Sequence, residues 1–180
     1  MDISNLPPAI VLQIANAVED YIAGSQKKYQ PQAIALTSSQ RSTLAPFFPA
    51  EILDSSRLCV LDGSRIEDPA FYGMARMMGL KNLPDFSSMA AITFVDVIVS
   101  HEEFTDSLLF HELVHAVQYA QLGTREFALR YVKGFVSGGS YEQIPLENNA
   151  YELEARFSQD KTAAFSVADE VKSWIAAGRL

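Results

Sequence analysis

The segment from Leu108 to Ala120 decides most of what this chain can fold into. Leu108, Leu109, Leu113, Val114, Ala116, Val117 and Ala120 make a helix here apolar around much of its girth, so the rest of the chain must surround it. The same helix carries His111, Glu112 and His115. Burying an unpaired carboxylate is costly, so the fold that encloses this helix must also bring partners to its polar groups. Thr105 or Asp106 offers the N-cap, and Gly123 marks the end.

The remaining chain can do this within one domain, 1–180. Of 180 residues 48% are hydrophobic and only 20% charged, which excludes a disordered tail and allows a real core. Three parts are expected: helices and a sheet over about 1–104, the central helix over 105–122, and a helical lobe over 123–180. Pro7 and Pro8 precede Ile10, Val11, Ile14, Ala17, Val18, Tyr21 and Ile22 at helical spacing, with Gly24 near the end. Ser38 to Pro49 reads as a punctuated connection. Leu58 to Leu61 reads as a short strand closed by Asp62-Gly63, and a short helix runs from Pro69 through Met78 to Gly79. Ala91 to Val99, rich in β-branched residues and interrupted only by Asp96, is the strongest strand pattern. Helices are expected from Thr124 to Val136, from Pro145 to about Phe157, and from Phe165 to Ala177, with a break at Ser137-Gly138-Gly139-Ser140.

A formal charge of −8 and the absence of any basic run argue against nucleic acid as a partner. Gln13, Asn16 and Glu19 interrupt the first apolar segment, so it is no membrane span. Met1-Asp2-Ile3-Ser4 lacks the positive start of a secretory signal, and a cytoplasmic location is the expectation. Cys59, the one cysteine, lies in an apolar run and reads as a buried, inert strand residue.

His111 and His115 stand at i and i+4, about 40° apart on one helix face, so both imidazoles can reach one Zn²⁺ at about 2.0–2.1 Å. Glu112 lies to the side, where its carboxylate can take a proton from a water on the metal without being a ligand. Two of the three histidines in the chain fall in this spacing. The third protein ligand should be a downstream carboxylate, since no further histidine follows. Glu147, Ala150, Tyr151 and Glu154 share a helix face, and small Ala150 would let that helix approach the first closely. Glu147 is therefore the candidate, followed by Glu152 and then Glu154.

The stretch His111-Glu112-Leu113-Val114-His115-Ala116-Val117-Gln118-Tyr119, with Pro145-Leu146-Glu147-Asn148-Asn149-Ala150-Tyr151 after it, resembles the gluzincin-type zincin metallopeptidases, most closely the small bacterial zinc peptidases grouped with the DUF4157-like domains. The resemblance covers about Phe110 to Phe157. It implies an α+β, zincin-like fold, with a small mixed sheet over the HExxH helix and the ligand glutamate on a second helix. It also implies His111, His115 and Glu147 as zinc ligands and Glu112 as general base. Many gluzincins place an aspartate four residues after the ligand glutamate, to orient a zinc-bound histidine; Tyr151 stands there in this chain.

Two further side chains are candidates for stabilising the oxygen of an attacked carbonyl. They are His101, just after the strand pattern, and Tyr141, just before the glutamate helix. The expected activity is zinc-dependent hydrolysis of a peptide or protein laid along the sheet edge near Ala91 to Val99. The competing expectation is a non-catalytic binding module that keeps zinc for stability. The sequence sets no oligomeric state.

Overall fold

The computed structural model describes residues 6–77, 80 and 82–180. Met1 to Ser4, and Met78 and Gly79 at the expected helix end, lie outside the described residues.

Pro8 sits in the first turn of α1 (Pro8–Tyr29), where its missing N–H costs nothing. The helix runs on through Gly24 to Tyr29, so that glycine does not end it as expected. Lys27 and Lys28 in the last turn suit the negative helix end, and buried Tyr29 anchors it. The stretch from Ser38 to Pro49 is not a bare connection either. Thr37 and Gln40 form a reciprocal capping box that starts α2 (Ser38–Leu44), and Pro49 precedes α3 (Ala50–Ser55). Residues that read as punctuation are helix starts. α4 covers Tyr72–Met77, and Met74 and Met77 are exposed.

Four short strands, β1 (Ile34–Ala35), β2 (Arg57–Val60), β3 (Ala91–Phe94) and β4 (Val97–Ser100), make one mixed sheet in the order β1-β2-β4-β3. β2 and β4 run parallel, and the outer pairs run antiparallel. The single strand expected over Ala91 to Val99 is folded back as a hairpin at Val95–Asp96. Val95 takes a left-handed φ of 63°, which a β-branched residue resists. The turn is held from outside: Gln26 on α1 donates to Asp96 Oδ1 at 2.5 Å, and Arg57 N–H donates to the Asp96 carbonyl at 2.7 Å. No glycine or asparagine announces it.

β3 lies at the sheet edge. Ala90 C=O accepts from His101 N–H, which makes that pair a bonded one and the next pair, Ala91 with Ser100, a non-bonded one. By the alternation of antiparallel ladders, the N–H and C=O of Ala91 and Thr93 point away from β4, toward the side of β3 that no strand pairs with among the described residues.

α5 (Asp106–Gly138) starts at Thr105, whose hydroxyl accepts from Leu108 N–H. It kinks at Gly123 (φ 74°, ψ 159°), where the sequence suggested one helix ends and another begins. α6 (Pro145–Gln159) and α7 (Val167–Ala176) pack beside it. Phe110 of α5 stacks on Phe157 of α6 at 4.4 Å, and Phe47 meets both rings edge-on. Ala150 is fully buried in the same core, so the two helices meet over a small side chain. The far half of α5 also lies hard against residues 141–145. A Cβ on Gly134 would come within 2.6 Å of Pro145 Cδ, and one on Gly138 would overlap Gln143 Cβ. These contacts fix where α6 begins, and with it Glu147. Among the described residues no helix is long and apolar enough to cross a membrane.

Candidate metal centre

The helical spacing of His111 and His115 places both rings on the face of α5 that meets α6, where Glu147 stands in the first turn. The three side chains are buried, and one donor atom from each lies within 4.8 Å of the others. The two Nε2 atoms are 3.2 Å apart. Glu147 Oε2 lies 3.3 Å from His115 Nε2 and 3.5 Å from His111 Nε2.

The surrounding hydrogen bonds say which ring nitrogens face this meeting point. Gln118 Nε2 donates to the Leu146 carbonyl and to Asn149 Oδ1, both at 3.0 Å. Its amide is thereby oriented, and Oε1 faces His115 Nδ1 at 2.9 Å, so that nitrogen carries the proton. His111 Nδ1 faces the Glu154 carboxylate at 3.1 Å and is a donor as well. In the neutral rings both Nε2 atoms are then lone pairs, aimed at each other and at a carboxylate oxygen. Glu147 Oε2 is buried and has no hydrogen-bond partner. Three acceptors converge in this form of the rings, an arrangement that could hold a metal ion.

Protons fill that role when no metal does. Burial pulls the His111 pKa down, but the Glu147 and Glu154 carboxylates outweigh it and push it up to about 10. For His115 burial acts the same way, and Glu147 again outweighs it and raises the pKa. Burial works to raise Glu147, yet the facing His115 and His111 hold it well below the usual carboxylate range. A metal ion would displace those protons.

Glu112 stands beside the cluster, directed to the sheet. Thr93 Oγ1 on β3 lies 2.7 Å from Glu112 Oε2 and 3.0 Å from the Glu112 carbonyl oxygen, so the hydroxyl ties this acid to the sheet edge. Tyr141 comes from the short 3₁₀ turn Tyr141–Gln143 and lines the cavities on both sides of the cluster together with Glu112. Burial, followed by the charge of Glu147, pushes its pKa far up and keeps the proton in place.

The other candidates fall elsewhere. His101 is not brought to the cluster: its Nε2 accepts from Ile66 N–H at 2.9 Å, and its Nδ1–H donates to the Met89 carbonyl at 2.5 Å. Both ring nitrogens are engaged in holding two loops, so it has no donor left for a substrate. Glu152 is exposed and lies 3.8 Å from Arg179. Glu154 is at the cluster, but on the outer nitrogen of His111. Tyr151, where the gluzincin resemblance would have an aspartate, places its ring 4.5 Å from that of His111. Sequence reasoning passed over Gln118, Asn149 and Thr93. Gln118 had a visible signal, an amide inside an apolar helix three residues after His115.

No family model, curated protein or solved structure matches this chain. The site therefore rests on its own chemistry.

Proposed function

We propose that this chain is a zinc-dependent hydrolase of zincin-like fold, and that it cuts peptide bonds. The observation that carries the proposal is the convergence of two imidazole lone pairs and one orphaned carboxylate oxygen beside a second, separately held carboxylate. The donor set of two imidazoles and one carboxylate suits zinc, and three protein ligands leave a fourth position open, as catalytic sites do. His111, His115 and Glu147 would hold the ion. When bound in such a set, zinc polarises a carbonyl oxygen and makes a water more acidic.

The chain's own residues then divide the remaining work. Glu112 takes the proton of the attacking water and returns it to the leaving amine. Thr93 keeps one Glu112 oxygen engaged, so the other is presented to the reacting atoms. Tyr141, with a proton that burial retains, donates a hydrogen bond to the carbonyl oxygen as charge develops on it. Glu154 and Gln118 keep the histidine rings in the tautomer that presents Nε2. The outward-facing N–H and C=O groups of Ala91 and Thr93 accept a peptide as an added antiparallel strand, which sets its carbonyl over the cluster.

The deciding experiment is zinc analysis of the purified protein followed by a fluorogenic peptide-library screen, with chelator and Glu112→Gln controls. Zinc-dependent cleavage that Glu112→Gln abolishes is the expected result. Bound zinc with no cleavage across the library would replace this reading with a zinc-stabilised binding module.

A further inference from the structure

Gln118 is a fully buried amide that follows Ala116 and Val117 on α5. Its two ends meet different helices. Oε1 accepts from His115 Nδ1 at 2.9 Å on its own helix, and Nε2 donates to the Leu146 carbonyl and to Asn149 Oδ1 on α6, both at 3.0 Å. Leu146 directly precedes Glu147, and Asn149 follows it by two positions. One planar group thus holds a ligating ring at one end and brackets the backbone of the carboxylate ligand at the other. Asn149 is fully buried as well, and its Nδ2 has no hydrogen-bond partner. An apolar side chain there would leave no orphaned donor, so packing alone does not account for an asparagine. What it supplies is the Oδ1 that Gln118 uses.

We infer that Gln118 and Asn149 are positioning residues that fix Glu147 against His115, so that the donor atoms stand together before an ion arrives. The inference rests on the metal-site part of the reading above and adds what holds that site's geometry. The rings of Phe47, Phe110 and Phe157 set how closely α5 and α6 approach, but apolar burial is non-directional. A metal site needs its ligand distances right to about 0.2 Å, and directional hydrogen bonds between the two helices supply that precision. Glu154 makes the corresponding tie from α6 to His111, yet its side chain is partly exposed. The Gln118–Asn149 tie is shut off from water, where a hydrogen bond is electrostatically stronger.

Gln118→Met and Asn149→Leu should each weaken zinc binding by the full chain about 10- to 100-fold, read by competition with a chromophoric chelator. Adding Asn149→Leu to Gln118→Met should weaken it no further, because Asn149 acts through the Gln118 amide. That same step should raise the unfolding midpoint of the chelator-treated protein, since it removes a buried amide that has lost its partner. Affinity and stability then separate, which a merely structural role would not produce. Gln121 is the control: it donates to the Ala168 carbonyl of α7 at 2.8 Å, and so ties α5 to a helix that carries none of the three ligands. Gln121→Met should leave zinc affinity unchanged. In the metal-free wild type both carboxamide protons of Gln118 should exchange slowly with water in NMR spectra, a reading that needs no variant to fold. Unprotected Gln118 protons, unchanged affinity in Gln118→Met or Asn149→Leu, or losses that add in the double variant would overturn this inference and leave the zinc site standing. So would an equal loss of affinity in Gln121→Met. A wild type that binds no zinc would overturn the site and this inference with it.

Discussion

The three histidines of this chain sit in two kinds of surroundings. His101 meets one donor, Ile66 N–H, and one acceptor, the Met89 carbonyl, and so is complete as a neutral ring. His111 and His115 each meet an acceptor on the outer side and another lone pair on the inner side, 3.2 Å away, with Glu147 Oε2 closing the triangle. Complementary partners make a histidine a structural staple. Converging acceptors make a pair of histidines a group that could hold a metal ion.

The sharpest way to break this comparison is to remove each ring in turn. His111→Ala or His115→Ala should abolish stoichiometric zinc binding, measured by metal analysis after dialysis. His101→Ala should keep the zinc and instead lower stability by about 1 kcal/mol, the cost of losing hydrogen bonds to partly buried backbone groups, read from denaturant unfolding. A zinc-free His101→Ala protein that still folds would erase the distinction.

Next in size is the difference between the two carboxylates at the cluster. Glu112→Gln should retain zinc and fold but lose about 10²–10⁴-fold in turnover, since an amide cannot accept the water's proton. A comparable loss of zinc in Glu112→Gln would make Glu112 a ligand instead.

Outer and inner partners can be separated in the same way. Glu147→Ala should eliminate tight zinc binding. Glu154→Gln should weaken it about 10–100-fold, the usual effect of losing the group that orients a ligating histidine. Glu152→Ala, exposed beside Arg179, should leave it unchanged. Competition with a chromophoric chelator ranks the three.

How much of this could be read beforehand depends on how local each feature is. His111, Glu112 and His115 are legible because a helical turn alone brings them together, and Glu147 because it shares a helix face with Ala150 and Glu154. The mixed α+β character and the break at Gly123 were legible from periodicity and a single glycine. The hairpin at Val95–Asp96 was not, because Gln26 and Arg57 impose it from distant parts of the chain. The same holds for Thr93 on Glu112 and for Glu154 on His111. Each spans a packing interface that no spacing rule encodes. His101 shows the converse: a histidine after a strand looked chemically available until the loops around Ile66 and Met89 were seen to use both of its nitrogens.

A smaller and graded effect should appear with pH. In the metal-free protein the His111 pKa lies at about 10, against 6.5 for the ordinary imidazole. Its raised pKa contributes stability that is fully present below about pH 6.5 and is lost as pH rises through about 10. Zinc competes with the same proton, so zinc affinity should increase with pH across that window. Thermal unfolding of chelator-treated protein and zinc titrations between pH 6 and 10 measure both trends. An affinity independent of pH would mean that no proton is displaced.

The central claim, that His111, His115 and Glu147 form an open zinc site, is tested most directly by X-ray absorption at the zinc edge on the protein reconstituted with one equivalent of zinc. The account predicts two imidazole nitrogens at about 2.0–2.1 Å, one carboxylate oxygen at about 2.0–2.2 Å and one oxygen not contributed by the protein. A shell without imidazole, a shell closed by four protein ligands, or a protein that retains no zinc would contradict it.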